Sequence, residues 1–213
     1  MSATTIRRSY DARAAEYADL FAAVNAAPAE DVAEIRDWAA RCSGPVVDAG
    51  CGPGQWTDDL RRQGAEITGF DLSPMFIEIA RRRFPHTEYR VADLAQSGIA
   101  TASVGGILSW FSVIHTPPDE IDAVLAEFAR TLAPGGRLLL GAFAWPELEP
   151  FPHAVVTAYR WPPEGLARRL ISAGFEVHRV SERTPRAPDR SARSKLDVSS
   201  NDCHGKNRSP QWR

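Results

Sequence analysis

The chemically richest stretch of the sequence is V-V-D-A-G-C-G-P-G, Val46 to Gly54, where an acid leaves an apolar run and glycines follow at alternate positions. Val46 and Val47 are β-branched and suit a strand. Gly50, Gly52 and Gly54 allow a sharp turn and let a bound molecule approach the backbone where a side chain would block it. Asp48 sets a carboxylate beside that approach. Asp71, in GFDLS, and Asp93, in VADL, stand at the ends of later apolar runs, and His115 follows another in SWFSVIHTPPDE. Carboxylates gathered around a glycine loop can accept the hydroxyl and amino hydrogens of a nucleotide-type cofactor. An imidazole with an ordinary pKa of about 6.5 can take a proton from an attacking hydroxyl or amine.

Spacing and charge narrow the cofactor. The dinucleotide fingerprint G-x-G-x-x-G would need glycine where Gln55 or Thr57 stands, so both registers fail. Asp48 would repel a pyrophosphate, whereas it suits a cofactor whose loop-facing end carries a sulfonium and an amino group, as S-adenosylmethionine does. The pattern G-x-x-x-x-G-K-[ST] of phosphate-cradling loops is absent.

These residues must be held by a scaffold, and the pattern predicts one. EITGFD (66–71), EYRVAD (88–93), VGGILSWFSV (104–113) and GRLLLGAFA (136–144) read as strands, separated by the helical intervals TDDLRRQG, MFIEIARRRF and IDAVLAEFARTL. Such alternation predicts an α/β fold with a doubly wound, mostly parallel sheet. Ligands bind beyond the carboxyl ends of such strands, so Asp48, Asp71 and Asp93 are expected to converge. Ahead of the sheet, Tyr10, Tyr17, Phe21 and Val24 share one face of a helix expected from Asp11 to about Ala26, and a second helix is expected from about Ala29 to Arg41.

The combination of D-A-G-C-G-P-G, GFDLS, VADL and LAPGGRLLL (132–140), in this order and spacing, resembles a class I S-adenosylmethionine-dependent methyltransferase of the small bacterial type, over roughly residues 10–183. The stretch TAYRWPPEGLARRLISAGFEV (157–177) is similar to the last helix and strand of that group. The resemblance implies that Asp71 accepts both ribose hydroxyls, that Asp93 accepts from the adenine amino group, and that Leu94 and Met75 lie at the ring. It places Gly50, Cys51, Gly52, Gly54, Leu72, Ser73 and Trp110 in the cofactor site as well. Tyr10 and Tyr17 match a Y-D-x-x-A-x-x-Y pattern that lays an N-terminal helix over the methionine end, with Arg13 available to its carboxylate, and Trp56 could wall the sulfonium. Each of these also has a structural reading: aromatic packing for Tyr10, Tyr17 and Trp56, core packing for Met75, loop or helix capping for Asp71 and Asp93, and loop orientation for His115.

The function expected is methyl transfer to a small-molecule acceptor by direct in-line displacement, with His115 as the candidate general base. His153, Tyr159 and Arg160 are weaker candidates for the acceptor side. A subunit that binds the cofactor without catalysis is the alternative, and a nucleotide-dependent oxidoreductase is disfavoured by the loop spacing and Asp48. The oligomeric state is not legible.

Composition bounds the remainder. A chain of 213 residues, 44% hydrophobic and 24% charged, suits one globular domain. A net charge of −2 and a pI near 6.2 exert no long-range pull on nucleic acid or an anionic membrane, so small substrates are expected. Cys42, Cys51 and Cys203 form no C-x-x-C pair and no residues show metal-ligand spacing; with no apolar leader or membrane-length run, a cytoplasmic protein without a metal is expected. From about residue 188 to 213 apolar periodicity is missing and Arg, Ser, Pro, Asp and Asn dominate. That composition predicts a disordered tail behind a domain of residues 1–187. The strand VHRV (177–180) would then lack the seventh, antiparallel strand that the resemblance implies.

Overall fold

Four residues in β1 (Val46–Ala49) are buried along their whole length, so this strand must be paired on both edges. In the computed structural model, which describes residues 2–20, 24, 27–183 and 192–200, β2 (Ile67–Asp71) and β4 (Val104–Trp110) flank it in parallel. β3 (Glu88–Val91) lies outside β2, and β5 (Leu132–Ala144) outside β4, giving the order β3-β2-β1-β4-β5. Strand order therefore reverses between β1 and β4, which opens a crevice at their carboxyl ends.

Alternation along the strands divides the core between two layers. Val47, Ile107, Leu138 and Leu140 pack with Ile121, Leu125 and Phe128 of α5 (Ile121–Thr131) and with Leu166 and Leu170 of α6 (Pro163–Ser172). Val46, Leu108 and Leu139 turn the other way, against Ile35 and Trp38 of α2 (Ala29–Ala40) and Trp56 and Leu60 of α3 (Gln55–Arg62). The first helix, α1, runs Ala3–Leu20, starting earlier than the aromatic spacing suggests, and Phe21 of the expected face lies outside the described residues. Its Ala14 and Ala18 pack on Phe76 and Ile79 of α4 (Pro74–Arg83), and small residues there let the two helices approach.

The expectation of disorder beyond residue 187 is corrected for residues 192–200. These form β9 (Ala192–Ser200), an antiparallel strand inserted between β5 and β8 (Phe175–Arg183) and paired with both. It supplies the seventh strand, and Val177 and Val180 in the expected VHRV strand pair with Val198 and Leu196. Composition concealed it because only Leu196 and Val198 carry the apolar face, while the other face is ionic. On that face Lys195, 8% exposed, lies 2.8 Å from Asp31 and also pairs with Glu34, and Asp197 is bound by Arg137 at 3.0 Å. These partners are distant in sequence, so no local pattern announces them. The rest of the expected tail, 188–191 and 201–213, lies outside the described residues.

A short hairpin, β6 (Glu149–Phe151) and β7 (Ala158–Trp161), joins β5 at Phe143 and Ala144, on the edge that β4 vacates after Trp110. β4 stops there because Phe111 takes a φ of +55°. No helix among the described residues is long and apolar enough to cross a membrane.

Candidate functional site

A cavity of about 780 Å³ opens at the carboxyl ends of β1, β2 and β4, bounded by the glycine loop and roofed by α1. Gly50 and Gly52 have φ of +79° and +53°, a region costly for other residues. The N–H groups of Gly50 and Cys51 donate to the Phe70 carbonyl at 2.8 and 2.9 Å, which ties the loop to β2. Gly50, Cys51 and Gly52 all border the cavity. A Cβ on Gly50 would lie 2.3 Å from Ser112 Cβ, while one on Gly52 would meet nothing within 4 Å. The first glycine is thus needed by the fold, and the second leaves space beside the loop.

Gly54 serves differently. It precedes α3 with φ +86°, and a Cβ there would strike the Tyr89 hydroxyl, which donates to the Gly54 carbonyl at 3.2 Å. It is absent from the cavity wall, so the structure does not bring it to the site.

The three aspartates converge on the one cavity, as their strand ends require. Asp48 is 1% exposed and accepts a hydrogen bond from Thr57 Oγ1 at 2.7 Å. Burial pushes its pKa up to about 7, with Thr57 opposing and Asp71 reinforcing the shift. Asp71 accepts the Gly52 N–H at 2.9 Å on one oxygen and the Ser73 N–H at 2.8 Å on the other. Burial likewise raises it to about 6, against those two bonds. Asp93 sits two residues past β3 rather than within it, its carboxylate accepting the Ala95 N–H at 2.8 Å, and Leu94 lines the wall beside it.

Leu72 and Ser73 also border the cavity; Ser73 caps α4 by accepting the Phe76 N–H at 3.1 Å and donates its hydroxyl to Asp11 at 2.5 Å. Met75 is corrected. It is 42% exposed and away from the wall, and its neighbour Phe76, 2% exposed, takes the inward place. The buried set Phe76, Ile77, Ile79 and Ala80 follows helical spacing, a signal that could have indicated the right register.

Tyr10 and Tyr17 enter from α1, with ring centroids 5.8 Å apart and each 5.5 Å from Phe76. Trp56 and Trp110 meet edge to face at 6.2 Å and form another part of the wall. Arg13 is engaged elsewhere: it pairs with Glu16 and donates to the Ala154 carbonyl. Tyr159 and Arg160 are likewise outside the wall, Arg160 lying over Trp145 at 4.2 Å and pairing with Glu149.

His115 is buried in the cavity wall at 4% exposure. Its Nδ1 is 2.9 Å from the Thr157 carbonyl and its Nε2 is 2.7 Å from the Tyr10 hydroxyl. A carbonyl only accepts, so Nδ1 carries the hydrogen and Tyr10 donates to Nε2. Burial lowers the imidazole to about pKa 4, with the Thr157 bond opposing. Sequence reasoning missed Asp31, Phe111, Ser112 and Phe143, which also line the cavity. Among the described residues no cluster suits a metal ion.

Part of the chain is similar to known proteins. Residues 46–136, from β1 through the glycine-rich start of β5, match the family model described as "Methyltransferase domain". Over that segment the chain resembles a methyltransferase domain. It is 35% identical over 104 residues to demethylmenaquinone methyltransferase of Tropheryma whipplei, covering 47% of this chain and 42% of that one. To magnesium-protoporphyrin O-methyltransferase of Rhodobacter capsulatus it is 29% identical over 163 residues, 66% of this chain and 71% of the other. The chain thus spans less than half the length of the first of these relatives. In fold it resembles the Burkholderia thailandensis 1,6-didemethyltoxoflavin-N1-methyltransferase, solved with bound 1,6-didemethyltoxoflavin and S-adenosylhomocysteine: TM-score 0.73, 21% identity, 94% of this chain and 89% of that one.

Proposed function

We propose that this protein transfers a methyl group from S-adenosylmethionine to a small-molecule acceptor. The observation that carries the reading is the buried Asp48 carboxyl beside the open flank of Gly52, in a cavity shared with Asp71 and Asp93. A buried acid raised to about pKa 7 calls for a cationic partner, and a loop with unfilled space at Gly52 admits one. Asp71, held by the Gly52 and Ser73 amides, retains oxygen lone pairs for ribose hydroxyls; Asp93 and Leu94 would receive the adenine, and Trp56 and Trp110 the methionine end. When bound, the cofactor supplies a methyl group activated by a sulfonium.

The chain's own contribution is alignment. Holding a nucleophile about 3 Å from the methyl carbon, opposite the sulfur, is a proximity effect that can lower the barrier by ~7–11 kcal/mol. Tyr10 closes α1 over the cavity by donating to His115, and this reserves the imidazole lone pair for the roof. In this reading His115 positions that roof and orients the following loop. The complete sheet, with β9 paired along β5, favours this reading over that of a cofactor-binding subunit without catalysis. Calorimetry with S-adenosylhomocysteine and, separately, NADH tests the assignment. Saturable binding of the first alone is expected; binding of NADH alone would overturn it.

A further inference from the structure

We propose that Phe111, Phe143 and His153 form the acceptor subsite, that the acceptor is a planar aromatic compound bearing a hydroxyl, and that His153 receives the hydroxyl proton. This rests on the methyltransferase reading above. All three residues line the same cavity as the glycine loop. Phe111 lies 5.2 Å from Phe143, Phe143 lies 5.9 Å from His153, and His153 lies 5.2 Å from His115, so the rings form one continuous wall. Phe111 is held at a positive φ by its N–H bond to the Gly141 carbonyl at 3.0 Å, and Gly141 itself leaves room for its ring. A non-glycine residue kept in that conformation is strained, and such strain concentrates at ligand sites. Rings of this kind favour stacking and edge contacts with a flat partner.

The two histidines are not equivalent. Both nitrogens of His115 are engaged, whereas Nδ1 of His153 is buried without a hydrogen-bond partner. His153 borders the cavity, so a turn of its ring would bring that unsatisfied nitrogen to a bound hydroxyl. The charged and titratable groups facing His153 are Arg13 from α1 and His115 from the turn after β4; burial, and after it Arg13, lowers its pKa. Acidity separates the candidate hydroxyls. Phenols ionise near pKa 10, as tyrosine does, whereas water, the nearest guide to an aliphatic alcohol, lies at ~15.7. The aromatic hydroxyl gives up its proton more readily, and the wall of rings selects for the flat group that carries it. When it reacts, its O–H bond breaks with the proton passing to His153, and an oxygen electron pair forms the new bond to the methyl carbon. The carbon–sulfur bond breaks at the same time, its electron pair staying on sulfur to leave a neutral thioether.

4-Nitrocatechol, whose absorbance reports both environment and ionisation, serves as the probe for protein saturated with S-adenosylhomocysteine. Saturable binding is expected, with cyclohexanol failing to compete. His153→Phe, which keeps the ring and loses the nitrogens, and His153→Gln should each weaken the probe about tenfold or more while binding S-adenosylhomocysteine as the parent does. With S-adenosylmethionine, nitrocatechol methylation should fall by roughly 10²–10⁴-fold in both variants. No probe binding to the parent, or equal probe affinity in parent and variants, overturns the subsite; competition by cyclohexanol overturns the aromatic class. Failure of the parent to bind S-adenosylhomocysteine overturns instead the reading beneath it.

Discussion

The Tyr10 hydroxyl donates to Nε2 of His115 at 2.7 Å, joining α1 to the turn after β4 across 105 residues of sequence. The tautomer is fixed from the far side, because the Thr157 carbonyl holds the hydrogen on Nδ1. One bond thus closes the cavity roof and occupies the histidine lone pair. Tyr10→Phe leaves that buried nitrogen without a donor and should cost about 1–3 kcal/mol of stability. A double-mutant cycle with His115→Gln should be non-additive in chemical denaturation. Additive losses would mean that the pair is not coupled in solution.

Asp71 is expected to be worth more to the cofactor than to the fold. Its oxygens fix the Gly52 and Ser73 amides as well as facing the cavity, so Asp71→Ala removes a ligand contact and loosens the loop that frames it. Binding of S-adenosylhomocysteine should weaken by about 1.5–3 kcal/mol, the range for hydrogen bonds to a charged group. Equal affinity in a folded variant, measured by calorimetry, would remove Asp71 from the site.

In the proposed reading, Asp48 should make cofactor affinity pH-dependent with a definite sign. Burial sets its pKa to about 7 in the free protein, so below that pH it is largely protonated. A cationic ligand favours the ionised form and lowers the pKa, so binding releases a proton and tightens as pH rises toward 7. Calorimetry in buffers of different ionisation enthalpy should detect that proton. Asp48→Asn should bind more weakly and lose this part of the pH dependence; an unchanged profile would mean that another group is titrating.

The glycines separate fold from binding. Gly50→Ala drives a Cβ to 2.3 Å from Ser112 at a φ of +79°, and should lower the melting temperature sharply. Gly52→Val meets no protein atom, but places a branched side chain in the open space beside the loop at φ +53°. It should lose cofactor binding with a smaller effect on folding. If Gly52→Val binds S-adenosylhomocysteine like the parent, the cofactor does not approach this loop.

What the sequence reveals of this molecule follows the range of the forces involved. The strand, glycines and acid of Val46–Gly54 are contiguous, and Asp71 ends a strand of plain apolar character, so local pattern sufficed for both. Met75 and Phe76 differ by one helical step of about 100°, and only packing against α1 decides which turns inward. The Tyr10–His115 bond was invisible because it depends on where the roof closes. Lys195 and Asp197 read as solvated charges until Asp31, Glu34 and Arg137 are brought to them by the fold.

That last point makes β9 the most stringent test of the architecture. Lys195, buried between Asp31 and Glu34 and 5.6 Å from the Trp110 ring, fastens the strand to α2 and to one side of the cavity. Lys195→Met fills similar space and removes the charge, leaving Asp31 without the cation beside it. Removing one partner of a buried pair costs about 3–5 kcal/mol, so the chemical denaturation midpoint should fall substantially. Leu196→Ala acts on the opposite face, where the side chain is 0% exposed in the main core, and should cost about 2–5 kcal/mol. Hydrogen exchange should find residues 177–180 protected to a degree close to β5, because β9 pairs along both strands. If 177–180 exchange freely and both substitutions are silent, residues 192–200 do not occupy the sheet in solution, and the strand order beyond β5 must be redrawn.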